Sequence, residues 1–371
     1  MKPVQTAVYD EISAVLAHYD LGELVEFQQN LLGYNNINFA IQLLKHGERK
    51  PYFFRRYKSS IQPEEIIFEH AVIEHLLQEQ ICQVARVHKT RSGETCYTQL
   101  PDDSSQHPRY YAIFDYLEGE DRYTWVDPQL SATEIQEAAG VLAKFHHAVA
   151  DFDPPGRRME ADILALLPQI TQNLQLVNTR SKGTQFDAYL AQNLDSLLEG
   201  CSAMQAYCTQ VDWSGAPRMV IHCDYHPGNL KFSGQQVVGL FDFDWSKIDL
   251  RCFDVGLALW YLVHWDGELD GIVRLAESLQ FLKTYQSTLA DLPHLEALTA
   301  FELQHLPVMV NLGNLFVLNW TVSDYYAIDA DPEEYLVYLR HSVRFNRWFM
   351  ARGKQFIQEY LISPLMLDQN L

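Results

Sequence analysis

The sequence predicts an α+β chain, β-rich over its first 117 residues and mainly helical after them. Three observations predict this. Short apolar runs at 24–27, 39–43, 52–57, 84–87, 96–100 and 110–117 are separated by polar turns, the pattern of strands. Beyond residue 118, apolar residues recur at helical spacing over 131–149, 160–209, 272–290, 293–326 and 332–362. Among those helices stand two short β-type runs, 219–221 and 237–241, enclosing a stretch dense in His, Asp and Asn. A length of 371 residues suggests two domains, drawn here as 1–117 and 118–371.

The first helix is expected over 4–18, from Val4, Val8, Ile12, Val15 and Leu16. Residues 23–58 then read as a β-meander with a turn at His46-Gly47-Glu48. Arg55 and Arg56 are adjacent on one strand and must face opposite ways; Arg56 is expected in solvent. A helix over 63–80 opens with Pro63, and its Glu69 lies among Ile66, Val72 and Ile73. An acid on an apolar face needs a partner, and Glu65 is its rival one turn earlier. Glu118-Gly119-Glu120 breaks the strand pattern and marks the boundary.

In the second part, Ser131 and Glu134 have the spacing of a capping box for the helix 131–149. His146 falls on its apolar face and reads as a core histidine. Residues 160–209 read as two or three helices with a break near 178–184. Asp254 is expected to cap the helix it opens, and Pro307 to kink or interrupt the helix 293–326. Trp260, Tyr261, Trp265, Asp266, Trp320, Asp324, Tyr325 and Tyr326 mix aromatics with acids. That mixture suits an ammonium group through cation–π contact, and equally suits plain helix packing.

Composition narrows the partners. Hydrophobic residues make up 47% and charged residues 20%, enough apolar material for a sizeable core. Twenty-eight basic against 48 acidic residues leave a net charge of −20, which argues against nucleic acid or an anionic membrane. A cationic ligand is compatible with it, and so is an acidic surface that serves solubility. No run is expected to reach the length of a membrane span; the most apolar, Val255 to Val263, is too short. Cysteines at 82, 96, 201, 208, 223 and 252 form no C-x-x-C pair, so no zinc site or disulfide framework is expected. Scattered thiols and the lack of a signal-like apolar start point to the cytoplasm.

The chemistry centres on His222-Cys223-Asp224-Tyr225-His226-Pro227-Gly228-Asn229, followed by Leu240-Phe241-Asp242-Phe243-Asp244. An Asp, an Asn five residues on and an Asp thirteen residues later repeat the layout of the H-R-D-x-x-x-x-N loop and D-F-G of kinases. Phosphoryl transfer asks a protein mainly for positioning and charge neutralisation. Asp224 would take the hydrogen bond of the attacking hydroxyl. Asn229 and Asp242 offer the oxygen ligands that Mg²⁺ takes, and Asp244 is a further metal or substrate contact. Aligning Tyr52-Phe53-Phe54-Arg55 on the kinase strand V-A-I-K makes Arg55 the phosphate cation, an Arg fork where Lys is usual.

The loop His222 to Leu230 resembles the H-G-D-x-H-x-x-N-[IVL] loop of the aminoglycoside phosphotransferase and choline kinase-like superfamily. Asp242-Phe243-Asp244 and Asp254-Val255-Gly256 are similar to its other signatures. The resemblance runs from about residue 28 to 260 and implies a bilobal protein kinase-like fold. It implies that Gly33, Asn36 and Asn38, in a turn with one glycine only, cover the ATP phosphates. It implies that Glu69 pairs with Arg55, and that a hinge at 114–117, with Asp115 and Leu117, holds adenine. It also implies that His146 is structural and that Asp254 supports the catalytic loop.

The expected function is ATP- and Mg²⁺-dependent phosphorylation of a hydroxyl on a small molecule, an amino alcohol such as homoserine or choline. Alternatives are an aminoglycoside, a protein Ser/Thr acceptor, or a catalytically silent ATP-binding protein. A monomer or a homodimer is compatible with all of them.

Overall fold

The computed structural model describes residues 3–30, 36–81, 83–101, 107–177 and 180–368. The chain divides into two compact units. The first comprises Met1–Gly119, Pro154–Met159 and Val238–Asp244, and the second Glu120–Asp153, Glu160–Val237 and Trp245–Leu371. The segment carrying Asp242 and Asp244 therefore belongs to the first unit.

The first unit holds helix α1 (Pro3–Leu16), strands β1 (Glu23–Asn30), β2 (Ile37–Lys45) and β3 (Glu48–Arg56), helix α2 (Pro63–Gln78), and strands β4 (Tyr97–Gln99) and β5 (Arg109–Asp115). The strands form one antiparallel sheet in the order β1-β2-β3-β5-β4. The turn between β2 and β3 places His46 and Gly47 at positive φ, which Gly47 adopts freely. Alternation on these strands sends Phe39, Ile41, Leu43, Tyr52, Phe54, Tyr111 and Ile113 to one core, closed by Ile12, Val15 and Leu16 of α1. Pro63 stands at the first turn of α2, where its missing N–H costs nothing. The buried face of α2 carries Glu69 and His70 among Ile66, Val72 and Ile73.

The second unit contains α3 (Ala132–Ala148), α4 (Ile163–Leu176), α5 (Gln185–Gln210), β6 (Arg218–Ile221) and β7 (Leu230–Ser233). A turn through Gly234 leads to β8 (Gln236–Leu240), along which the chain enters the first unit. It returns in β9 (Lys247–Leu250), followed by α6 (Arg251–Trp260), α7 (Leu275–Ala290), α8 (Ala300–Ala327) and α9 (Pro332–Trp348). β6 and β9 pair antiparallel, Ile221 opposite Lys247, and so bracket the segment 222–246. Ser131 caps α3 and Glu134 completes the box, as the spacing predicts. Gly256 of α6 lies so close to Met309 of α8 that a Cβ would stand 2.7 Å from backbone.

Several expectations need correction. Residues 84–87 form no strand; Val84 and Val87 make isolated bridges to Leu240 and Phe114. β7 was not anticipated. Asp254 does not cap α6, which begins three residues earlier at Arg251, and is instead buried within it. Pro307 does not interrupt α8, which runs through it, because the surrounding buried contacts outweigh the lost hydrogen bond. The same helix overturns the reading that no segment is long and apolar enough for a membrane span. An 18-residue window in its 28 residues reaches a mean hydropathy of 1.2, but 83% of that window is buried within the protein, as in a core helix. Arg56 is not left to solvent: its Nη1 lies 2.8 Å from Glu11 Oε1. None of the described cysteines is disulfide-bonded; Cys82 lies outside the described residues.

His70 is buried between two neutral hydroxyls, Tyr57 Oη and Thr95 Oγ1. Burial, with Arg55 nearby, pushes its imidazole down to about 3. The folded state therefore keeps it neutral, while the unfolded chain takes up a proton below about pH 6.5. Stability from this group is present above that pH and is lost as pH falls, by about 1.4 kcal/mol per unit. Urea unfolding at pH 7 and pH 5 should show wild type losing about 2 kcal/mol more than His70→Asn. Equal losses would contradict the assignment.

Candidate active site

The first unit gathers four of the residues singled out by the sequence. Asn38 and Arg55 are register partners across β2 and β3. Arg55 Nε accordingly donates to Asn38 Oδ1 at 3.2 Å. Arg55 Nη1 meets Glu69 Oε1 at 2.9 Å and Nη2 meets Asp242 Oδ1 at 3.1 Å. Glu69, rather than Glu65, is thus the partner of Arg55; Glu65 pairs with Arg158 at 3.1 Å. The rings of Phe53, Tyr57 and Phe114 lie 5.5–6.0 Å from the guanidinium carbon, within cation–π range.

These contacts set the charges. Burial works against the guanidinium, but Glu69 and Asp242 outweigh it and raise Arg55 above its ordinary value. Burial also pushes the Glu69 carboxyl up to about 7, against the pull of Arg55. Planar Arg can serve three acceptors at once through a fixed fork. This explains Arg at a position where kinases commonly carry Lys.

Asn36, expected over phosphate, donates from Nδ2 to Asp244 Oδ2 at 2.8 Å and accepts from the Lys58 amide at 3.1 Å. Arg158 donates to the Asp244 carbonyl at 2.7 Å. Asp244 Oδ1 is buried without a hydrogen-bond partner. Gly33 lies outside the described residues. Asp115 ends β5; its amide donates to the Arg86 carbonyl and its carboxylate meets His88 Nε2 at 2.8 Å. That His88 contact draws the Asp115 carboxyl below its ordinary value. Leu117 follows two residues later, half-buried.

The second unit places Asp224 and Asn229 together. Asn229 Nδ2 donates to the Asp224 carbonyl at 2.9 Å and to Oδ2 at 3.0 Å. With its NH₂ so committed, its Oδ1 is the acceptor side. Tyr261 Oη donates to Asp224 Oδ1 at 2.7 Å. His226 Nδ1 accepts from the Gly228 amide at 3.0 Å, so neutral His226 carries its proton on Nε2. That Nε2 lies 3.6 Å from Asp224 Oδ2. Burial alone would raise Asp224, but His226 and the Tyr261 hydroxyl outweigh it and hold the carboxyl below its ordinary range. Asp224 is therefore ionised at neutral pH.

Asp254 braces this loop. Its Oδ2 accepts from the His222 amide at 2.9 Å and its Oδ1 from the Cys223 amide at 2.8 Å. His146, fully buried, bridges Asp254 Oδ2 at 3.0 Å and Tyr285 Oη at 2.7 Å, the structural role anticipated for it. Cys223 and Asp242 have φ of 63° and 69°. Left-handed backbone costs a non-glycine residue about 1–2 kcal/mol, and such strain gathers at functional sites. Cys223 stands where the resembled loop carries Gly.

Tyr261, His226 and Arg158 were not foreseen as contacts of these acids. Tyr261 had been grouped with the aromatics, and only its register in the turn after α6 brings its hydroxyl to Asp224. Asn229 Oδ1 in the second unit and the Asp242 carboxylate in the first are each oxygen donors, the type that Mg²⁺ takes. Among the described residues no group of three or more His, Cys, Asp or Glu side chains could by itself hold a metal ion. Mg²⁺ seldom needs one, since it keeps waters and shares phosphate oxygens.

A kinase-like fold with a braced Asp/Asn loop and a buried Arg–Glu pair carries the parts of a phosphotransferase. The chain belongs to the phosphotransferase enzyme family, APH, whose model matches residues 26–305. It is 25% identical over 343 residues to a homoserine kinase of Sinorhizobium fredii, covering 89% of this chain and 91% of that protein. It is 28% identical over 277 residues to a homoserine kinase of Afipia carboxidovorans, covering 74% of each. Among solved structures it resembles a microcompartment-associated aminopropanol kinase, with a TM-score of 0.64 and 19% identity over 93% of this chain and 98% of that one. An amicoumacin kinase in complex with AMP-PNP, Ca²⁺ and Ami gives a TM-score of 0.65 at 15% identity, covering 95% and 96%.

Removing the Arg55 charge should leave Glu69 buried and uncompensated. Arg55→Met is expected to cost about 3–5 kcal/mol in chemical unfolding. A loss below about 1 kcal/mol, the worth of an exposed pair, would contradict the buried pairing.

Proposed function

We propose that this protein transfers the γ-phosphoryl group of ATP, with Mg²⁺, to the hydroxyl of a small amino alcohol, homoserine or a close analogue. The observation that carries the reading is the seat of Asp224: one oxygen held by the Asn229 amide, the other by the Tyr261 hydroxyl. An ionised carboxylate fixed in this way can accept the hydrogen bond of an attacking alcohol and take its proton as the phosphorus–oxygen bond forms. Arg55, oriented by Glu69 and Asn38, supplies positive charge to the phosphates. Asn229 and Asp242 are assigned as oxygen ligands of Mg²⁺, which when bound would offset charge on the transferring group.

The acceptor class rests on two supports. The relatives are named homoserine kinases, and structural neighbours include an aminopropanol kinase and a Plasmodium vivax ethanolamine kinase. Around Tyr261 the rings are aromatic: Trp125 lies 6.3 Å from it, and Trp265, Trp320 and Tyr338 lie 4.3–6.1 Å from Trp125. Trp125 and Trp320 keep part of their surface exposed, and a ring face suits an ammonium group.

Purified protein with ATP and Mg²⁺ should release ADP faster with homoserine or another amino alcohol than with sugars or aminoglycosides. Asp224→Ala should lower the rate by about 10²–10⁴ while leaving ATP binding intact. Full activity of that variant, or loss of nucleotide binding in a folded protein, would overturn the role given to Asp224.

A further inference from the structure

Glu69 has a second oxygen that the Arg55 pair does not use. Tyr57 Oη lies 2.8 Å from Glu69 Oε2 and 2.9 Å from His70 Nε2, and His70 Nδ1 lies 2.8 Å from Thr95 Oγ1. The polarity of this chain follows from its members. The carboxylate can only accept, so Tyr57 donates to it. The Tyr57 oxygen then accepts from His70 Nε2–H, and His70 Nδ1 accepts from the Thr95 hydroxyl. Burial raises the Tyr57 hydroxyl well above its ordinary value and pushes His70 down to about 3, so both stay neutral and this order holds while Glu69 is ionised in its pair with Arg55.

We propose that Tyr57, His70 and Thr95 are positioning residues for phosphate binding: they hold Glu69 so that it takes one arm of Arg55 and leaves the other, Nη2, to be shared between Asp242 and the nucleotide. This rests on the kinase reading above. A carboxylate naturally takes a guanidinium through both oxygens. With Oε2 tied to Tyr57, Glu69 bonds Nη1 only, and Nη2 reaches Asp242 instead. Without the tie, Glu69 would be able to rotate and engage both terminal nitrogens, drawing Arg55 off the position of Nη2. Asn38 secures the third corner at Nε. Lys at position 55 could not be steered in this way, because it has no fork to divide.

The test uses the full chain and two conservative variants, Tyr57→Phe and Thr95→Val. Binding of AMP-PNP with Mg²⁺ is measured by calorimetry, alongside thermal melting and steady-state kinetics. Loss of a residue that orients a ligand-holding side chain typically costs about 10–100-fold, so Tyr57→Phe should weaken AMP-PNP binding by about tenfold or more. The KM for ATP should rise in step, with the KM for the acceptor unchanged. Thr95→Val should move the same quantities in the same direction by less. AMP-PNP affinity within twofold of wild type in Tyr57→Phe overturns the proposal. So does an equal rise of both KM values, which a general loss of structure would give. If Tyr57→Phe does not fold, Thr95→Val decides by the same criteria. If wild-type protein binds AMP-PNP but phosphorylates no acceptor, the kinase reading fails, and the binding comparison still judges the positioning role.

Discussion

A buried guanidinium divided between two carboxylates is the constraint that organises the first unit. Stripping water from such ions costs several kcal/mol each, and only good geometry with further hydrogen bonds offsets it. Each neighbouring element meets part of that demand. β2 contributes Asn38 by register, α2 contributes Glu69 from its apolar face, and the segment after β8 brings Asp242. Phe53, Tyr57 and Phe114 line the charge with rings instead of water. The strand register and the helix phase are therefore both tied to one side chain.

The second unit solves a different problem, holding a tight loop in an unfavourable backbone conformation. Cys223 in left-handed geometry is stabilised by Asp254, which accepts from the consecutive backbone amides of His222 and Cys223. A carboxylate fully removed from solvent can do this because its oxygens are satisfied by two amides and by His146. The brace also explains why α6 must start before Asp254. A capping residue would sit at the end of the helix; this one reaches sideways to the loop that carries Asp224.

Much of the site was legible because its chemistry is local in the chain. Asp224 and Asn229 are five residues apart in one turn, and the apolar face of its helix marks Glu69 as an acid in need of a partner, while its pairing with Arg55 is what the family resemblance implied. Sequence could not reveal where Asn36 and Asn38 would turn their amides, since Asp244 is 208 residues from Asn36. Nor could it separate an aromatic that merely packs from one whose hydroxyl touches an acid, as Tyr261 does. The misread strand at 84–87 had the right residue types but only bridges to pair with. Pro307 had the residue type that breaks helices, but it lies in a helix buried along most of its length.

The sequence by itself determined the α+β class, the order of most strands and helices, and which acids, amides and arginine stand as candidates for the chemistry. Spacing and periodicity carry that information, because turns, helix faces and strand alternation depend on near neighbours. Tertiary structure alone decided which oxygen each donor satisfies: Tyr57 on Glu69, Tyr261 on Asp224, Asp254 on the loop amides. Those choices depend on distances of about 3 Å between residues 12 to 37 positions apart, and no pattern along the chain encodes them.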